Sequence, residues 1–136
     1  MTPLNTPPKQ NLAGLIDLAQ TYFDAAYEMD AGKFAPLFSP AASITRRGDD
    51  DSVLVTPLTA WLDAVRSLTS PRDAGVVRAD EILAIVTTHD MALLKVRLRT
   101  PSRTVTDLLS CFNLGGGWQI VQKVFTAEIQ DEPSRP

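Results

Sequence analysis

Residues 104–129 read TVTDLLSCFNLGGGWQIVQKVFTAEI. Two runs of strand length, rich in Val, Leu, Phe, Trp and Thr, flank Gly115-Gly116-Gly117, the pattern of a long antiparallel hairpin. The alternation is imperfect: Leu109 and Cys111 point one way, Leu108, Ser110 and Phe112 the other, and both sets are mostly apolar. Both faces of the hairpin are therefore expected to be at least partly covered. Asp107 and Lys123 stand inside these strands, and a charge in a covered sheet needs a partner or a purpose.

Upstream of the hairpin the pattern changes to helical spacing. Leu12, Leu15, Ile16, Ala19, Tyr22, Phe23, Ala26 and Tyr27 oppose Asp17, Gln20, Asp24 and Glu28, which predicts one amphipathic helix from Asn11 to about Met29. Asp30 is placed to cap a shorter helix through Phe34 and Leu37 that stops at Ser39-Pro40. Ala42 to Arg47 reads as a short strand, residues 48–52 as a turn, and Val53 to Val55 as the return strand. Thr56 as cap and Pro57 as first helical residue then start a third helix, with Leu58, Trp61, Leu62, Val65 and Leu68 on one side. Val76 to Thr88 and Met91 to Arg99 are the next two strands, turning at His89-Asp90. Helices gathered on one face of a curved antiparallel sheet make an α+β domain. The cone enclosed by such a sheet is a natural small-molecule site.

With 136 residues, 44% of them hydrophobic, the chain is one domain over residues 11–130, between an N-terminal arm (1–10) and a polar tail (131–136), both expected to be flexible. A net charge of -3 argues against nucleic-acid binding, since a phosphate-binding face needs a clustered basic excess; Arg46-Arg47 and the Arg97, Arg99, Arg103 group are local exceptions. Cys111 is the one cysteine, so no internal disulfide is possible and a reducing cytoplasm is the expected location. No apolar run reaches the length of a signal peptide core or a membrane span.

The words QTYFDAAYEMDAGKFAPLFSPAASI (20–44) and TDLLSCFNLGGGWQIVQKVF (106–125), in this order of elements, resemble the nuclear transport factor 2-like superfamily, and within it the SnoaL-like and "putative lumazine-binding" members. The resemblance implies a cone-shaped curved antiparallel sheet packed on three N-terminal helices, a cystatin-like roll. This fold carries isomerases, cyclases, dehydratases and non-catalytic binding modules, so the resemblance speaks to fold and leaves function open. Ketosteroid isomerases of the superfamily place an oxyanion-holding Tyr where Tyr22 stands, but their general-base Asp falls at about Arg46 and their second Asp near Leu108 or Leu109. A guanidinium cannot act as an enolising base, so steroid isomerisation is not expected.

Candidate ligand-binding residues are Tyr22, Tyr27, Trp61, Arg46, Arg97, Asp107, Lys123 and Phe125, with Asp107 and Tyr22 as the catalytic pair if the domain is an enzyme. Asp107 and Lys123 lie opposite or diagonal across a tight hairpin, either as a pair that fixes register or as a tuned carboxylate facing the cone. Tyr22 and Tyr27 combine a core ring with a hydroxyl able to reach a cavity, and Trp61 is placed to wall its mouth. His89 sits in a turn without converging partners, and Cys111 is an apolar filler. No metal set is present by spacing: Asp49-Asp50-Asp51 lacks the closing Glu of a calcium loop. The triple glycine precedes no helix, so no phosphate loop exists and no cofactor is expected. The expected function is a homodimeric small-molecule-binding domain, paired through an outer sheet face bearing Leu108 or Leu109 and Val121 or Val124. The alternatives are a SnoaL-like enzyme with Asp107 as general base, or a protein-interaction module with a filled cone.

Overall fold

The computed structural model describes residues 11–129; the arm over 1–10 and the tail over 131–136 lie outside the described residues. Helix α1 (Leu12–Glu28) begins where the Asn11 side chain accepts from Gly14 N at 3.1 Å. It ends at Met29, which takes a left-handed φ of 48°. Asp30 caps α2 (Ala31–Phe34), its carboxylate accepting from Lys33 N at 3.1 Å as the sequence predicts. A 3-10 turn (Ala35–Leu37) leads into β1 (Phe38–Arg47), so the strand starts four residues before the expected Ala42. Ser39-Pro40 does not separate helix from strand. It lies within an irregularity of β1 between the paired residues Phe38 and Ser43, where a proline costs no ladder bond.

Strand β2 (Val53–Pro57) returns antiparallel to β1 and runs directly into α3 (Leu58–Arg66). Thr56 pairs with Ile44 in the ladder, so it does not cap the helix; Pro57 occupies that position without a side-chain cap bond. Strand β3 (Glu81–Thr88) is shorter than expected. Residues 76–80 are held against α1 instead: Tyr27 donates its hydroxyl to Val76 O at 3.2 Å, and Arg78 pairs with Asp24 and Asp80, each at 2.6 Å. Strands β4 (Met91–Arg99), β5 (Arg103–Asn113) and β6 (Trp118–Ile129) complete the sheet, with Gly117 at a φ of 129° closing the β5–β6 turn.

The described strands form one six-stranded sheet in the order β2-β1-β6-β5-β4-β3. It is not wholly antiparallel: β1 runs parallel to β6, Ile44 beside Lys123, because the chain passes through β2, α3 and the β3–β4–β5 meander before returning to β1's edge. The helices cover one face, and the core is the contact between Leu15, Tyr22, Phe34, Leu62 and Val65 from the helices and Ile44, Leu94, Leu109 and Ile120 from the strands. Trp118 ties the layers together by donating Nε1–H to Asn11 O at 2.9 Å. Among the described residues no helix is long and apolar enough to cross a membrane.

Candidate functional site

Strand alternation places Val105, Asp107, Leu109 and Cys111 of β5 toward the helices; Asp107, Leu109 and Cys111 are buried, and Leu108 and Phe112 face outward. In β6 the inward residues are Trp118, Ile120, Lys123 and Phe125, with a spacing of three between Ile120 and Lys123. The break is a β-bulge: Ser110 pairs with Gln122 and Cys111 with Ile120, leaving Val121 without an opposite residue. One extra residue inverts the alternation beyond it and turns Lys123 and Phe125 inward. Asp107 then stands directly opposite Phe125, and Lys123 opposite Leu109, so the two charges are diagonal neighbours on the covered face.

Tyr22, from the middle of α1, donates its hydroxyl to Asp107 Oδ2 at 2.5 Å. Lys123 Nζ stands 3.9 Å from the same oxygen, an ion pair too long to be a hydrogen bond. Three rings surround that ammonium: Trp61 at 4.2 Å, Phe125 at 5.0 Å and Tyr22 at 5.4 Å from their centroids. Phe34 packs edge-on against Trp61 at 4.9 Å and Tyr22 at 5.2 Å, fixing both rings. Asp107 is 1% exposed, and its Oδ1 has no hydrogen-bond partner among the described residues. Burial, then the Asp107 charge, then the bond to Asp107 push the Tyr22 phenol well above its usual pKa, so it stays protonated. Burial lowers the Lys123 pKa, and the Asp107 charge offsets part of that shift.

These groups border a cavity of about 140 Å³ whose walls also include Met29, Val65, Leu68, Leu98 and Val105. Five of the eight sequence-derived candidates meet there: Tyr22, Trp61, Asp107, Lys123 and Phe125. The other three do not. Tyr27 points to the opposite flank of α1, where its hydroxyl holds Val76 O and Arg78 lies over its ring at 5.3 Å. Arg46 is exposed near the end of β1, beside the 48–51 turn, its guanidinium on Arg47 O at 3.4 Å. Arg97 faces outward from β4 and pairs with Glu81 at 2.7 Å across the strand boundary. Arg97 follows the alternation of β4, standing between buried Val96 and Leu98, whereas Arg46 shares the parity of buried Ile44 and swings its long side chain to solvent.

Among the wall residues that the sequence reading did not assign to a site, Leu98 and Val105 carried a legible signal. They pair across β4–β5 and share the parity of Val96 and Asp107. Met29 carried none, because its place follows from a left-handed turn at the end of α1. Burial pushes the Cys111 thiol up to about 12, which leaves it unreactive. His89 occupies the β3–β4 turn at a φ of 54° and is exposed.

A family model described as "Putative lumazine-binding" matches residues 10–126. Solved structures share the fold. A nuclear transport factor 2-like protein of unknown function from Shewanella baltica superposes with a TM-score of 0.81 at 17% identity, covering 92% of this chain and 99% of that one. One from Silicibacter pomeroyi gives 0.75 at 23% identity, covering 88% and 97%. A ketosteroid isomerase-like protein from Erwinia carotovora gives 0.65 at 16%, covering 87% and 96%. No curated protein matches the sequence.

Proposed function

Because the chain belongs to the "Putative lumazine-binding" family of the nuclear transport factor 2-like fold, we propose that it binds a compact organic ligand in the cavity between α1, α3 and the inner face of β5 and β6. The observation that carries this reading is Asp107, a buried residue in the wall of a mostly apolar void, whose Oδ1 has no hydrogen-bond partner among the described residues. Leaving such an acceptor unsatisfied costs roughly 1–3 kcal/mol or more, which a ligand donor recovers. The volume bounds the guest: about 140 Å³ is close to the roughly 150 Å³ of an engineered cavity that takes benzene. It lies well below the roughly 300 Å³ where pockets for drug-sized ligands begin. A single ring fits. A fused two-ring pteridine, such as the lumazine in the family's name, requires the cavity to widen.

Binding fits the geometry better than turnover. Tyr22 has one hydroxyl proton and already gives it to Asp107, so it cannot polarise a substrate carbonyl without breaking that bond. A protein-interaction module with a filled cone fits less well, since the void is wider than a water molecule. Calorimetric titration with one-ring probes tests the proposal. The native protein should bind at least one of them, and Val105→Phe, which places a ring in the void, should abolish binding while leaving the melting temperature within a few degrees. Equal binding by both proteins refutes the assignment of the cavity.

The partner we propose is a second copy. On the outer face Leu108 pairs with Val124, at 37% and 40% exposure, and Val86, Met91 and Phe112 continue the apolar surface. A covered two-fold pairing of these faces removes it from water. Light scattering should give twice the 14.8 kDa chain mass at micromolar concentration, and Leu108→Lys should halve the measured mass. A native mass equal to one chain refutes the dimer.

A further inference from the structure

The ligand reading can be sharpened to a chemical class, and the sharper statement rests on the cavity being the binding site. Asp107 and Lys123, with polar groups of opposite character, line the same largely apolar void. Asp107 Oδ1 is an acceptor with no donor among the described residues. Lys123 Nζ carries donors, and the carboxylate nearest it stands at 3.9 Å, beyond hydrogen-bond reach. Both side chains are buried, Asp107 at 1% and Lys123 at 6% exposure, so bulk water does not serve them freely. Apart from Tyr22 and Thr100 the rest of the wall is aromatic and aliphatic, with Trp61, Phe125 and Phe34 lining a void sized for one ring.

We propose that the ligand is a neutral planar ring bearing a hydroxyl or lactam group, which donates to Asp107 Oδ1 and accepts from Lys123 Nζ. One such group answers both unmet requirements, because it is donor and acceptor within the span of a single substituent. A purely hydrocarbon ring fills the volume and leaves both polar atoms unsatisfied. An ether accepts from Lys123 and gives nothing to Asp107. A carboxylate brings a second negative charge against a buried one, which the low-dielectric surroundings penalise. The Tyr22–Asp107 bond holds the carboxylate through Oδ2, so Oδ1 is left as the acceptor before the ligand arrives.

The experiment is a calorimetric comparison of toluene, anisole, phenol, 2-pyridone and benzoate on the native full-length protein. Phenol or 2-pyridone should bind about tenfold or more tighter than toluene and anisole, the equivalent of one charge-assisted hydrogen bond, and benzoate should bind weakest. Lys123→Met and Asp107→Leu, where folded by circular dichroism, should erase the preference for phenol over toluene while still binding toluene. Equal affinity for toluene and phenol overturns the class assignment and leaves the cavity reading standing, as does tightest binding by benzoate. Binding of none of the five removes the cavity reading itself, and the class assignment with it.

Discussion

Replacing Tyr22 by Phe isolates the hydrogen bond on which the site's geometry depends. Tyr22 is 1% exposed and its ring sits edge-on to Phe34 at 5.2 Å, so phenylalanine keeps the packing and removes only the hydroxyl. What is lost is a 2.5 Å bond to a carboxylate with 1% exposure, leaving Asp107 with no hydrogen bond at either oxygen and Lys123 at 3.9 Å as its nearest charge. A bond to a charged acceptor contributes about 1.5–3 kcal/mol, against about 0.5–1.5 for a neutral one. At roughly 3–4 °C per kcal/mol for a domain of this size, Tyr22→Phe should lower the melting temperature by about 5–12 °C. A second readout comes from alkaline pH. The Tyr22 pKa is raised in the folded state, so above its ordinary value of 10.0 the unfolded chain releases a proton that the folded chain retains. Stability therefore falls as pH rises past 10, by about 1.4 kcal/mol per pH unit for this one group. Urea denaturation between pH 8 and 11 should show that fall in the native protein and a shallower one in Tyr22→Phe. A variant within about 0.5 kcal/mol of the native protein at pH 7, with an unchanged alkaline limb, would show that Tyr22 and Asp107 do not form this bond.

Lys123→Met should cost about 3 kcal/mol by denaturation at neutral pH, since it strands a buried carboxylate. Combined with Asp107→Asn it should cost less than the sum of the two single changes by more than about 1 kcal/mol; strict additivity would mean that the pair is uncoupled. Because burial lowers the Lys123 pKa, the cost of its charge is fully present below the folded value and is relieved as pH rises toward 10.5. The native protein should accordingly gain stability over that alkaline interval below pH 10 relative to Lys123→Met, and parallel curves would contradict the shift. Cys111, with its thiol pushed up to about 12 and 1% exposed, should react with an aromatic disulfide reagent only at the rate of unfolding. Reaction within seconds in native buffer would place the thiol at the surface.

The order of elements was legible because hydrophobic period and turn chemistry are local. The 3.6-residue spacing from Leu12 to Tyr27 marks α1, Asp30 caps α2, and the Met91–Arg99 strand appears with its observed bounds. The boundaries that shifted did so where another element claimed the backbone: Thr56 belongs to the β1–β2 ladder, and residues 76–80 are tied to α1 rather than to the sheet. The parallel pairing of β1 with β6 joins segments far apart in the chain, and nothing local to either strand encodes it. Arg46 entered the candidate set through its place in the family resemblance and Arg97 as a charge that could partner the hairpin pair, and the structure turns both toward solvent.

The sequence by itself determined that a helix-roofed sheet would form and that Asp107 and Lys123 would sit on adjacent strands of one hairpin, since both follow from residue type, spacing and a glycine turn. It did not determine which face they occupy, because apolar side chains line both faces of β5. The tertiary structure decided that through the bulge at Val121. With one unpaired residue in β6, Lys123 and Phe125 move to the side on which Tyr22 descends from α1, and two separate charges become the polar end of a cavity. The physical reason is that a β-strand has a period of two: each side chain's direction depends on the parity of every residue between it and the point where the register is fixed.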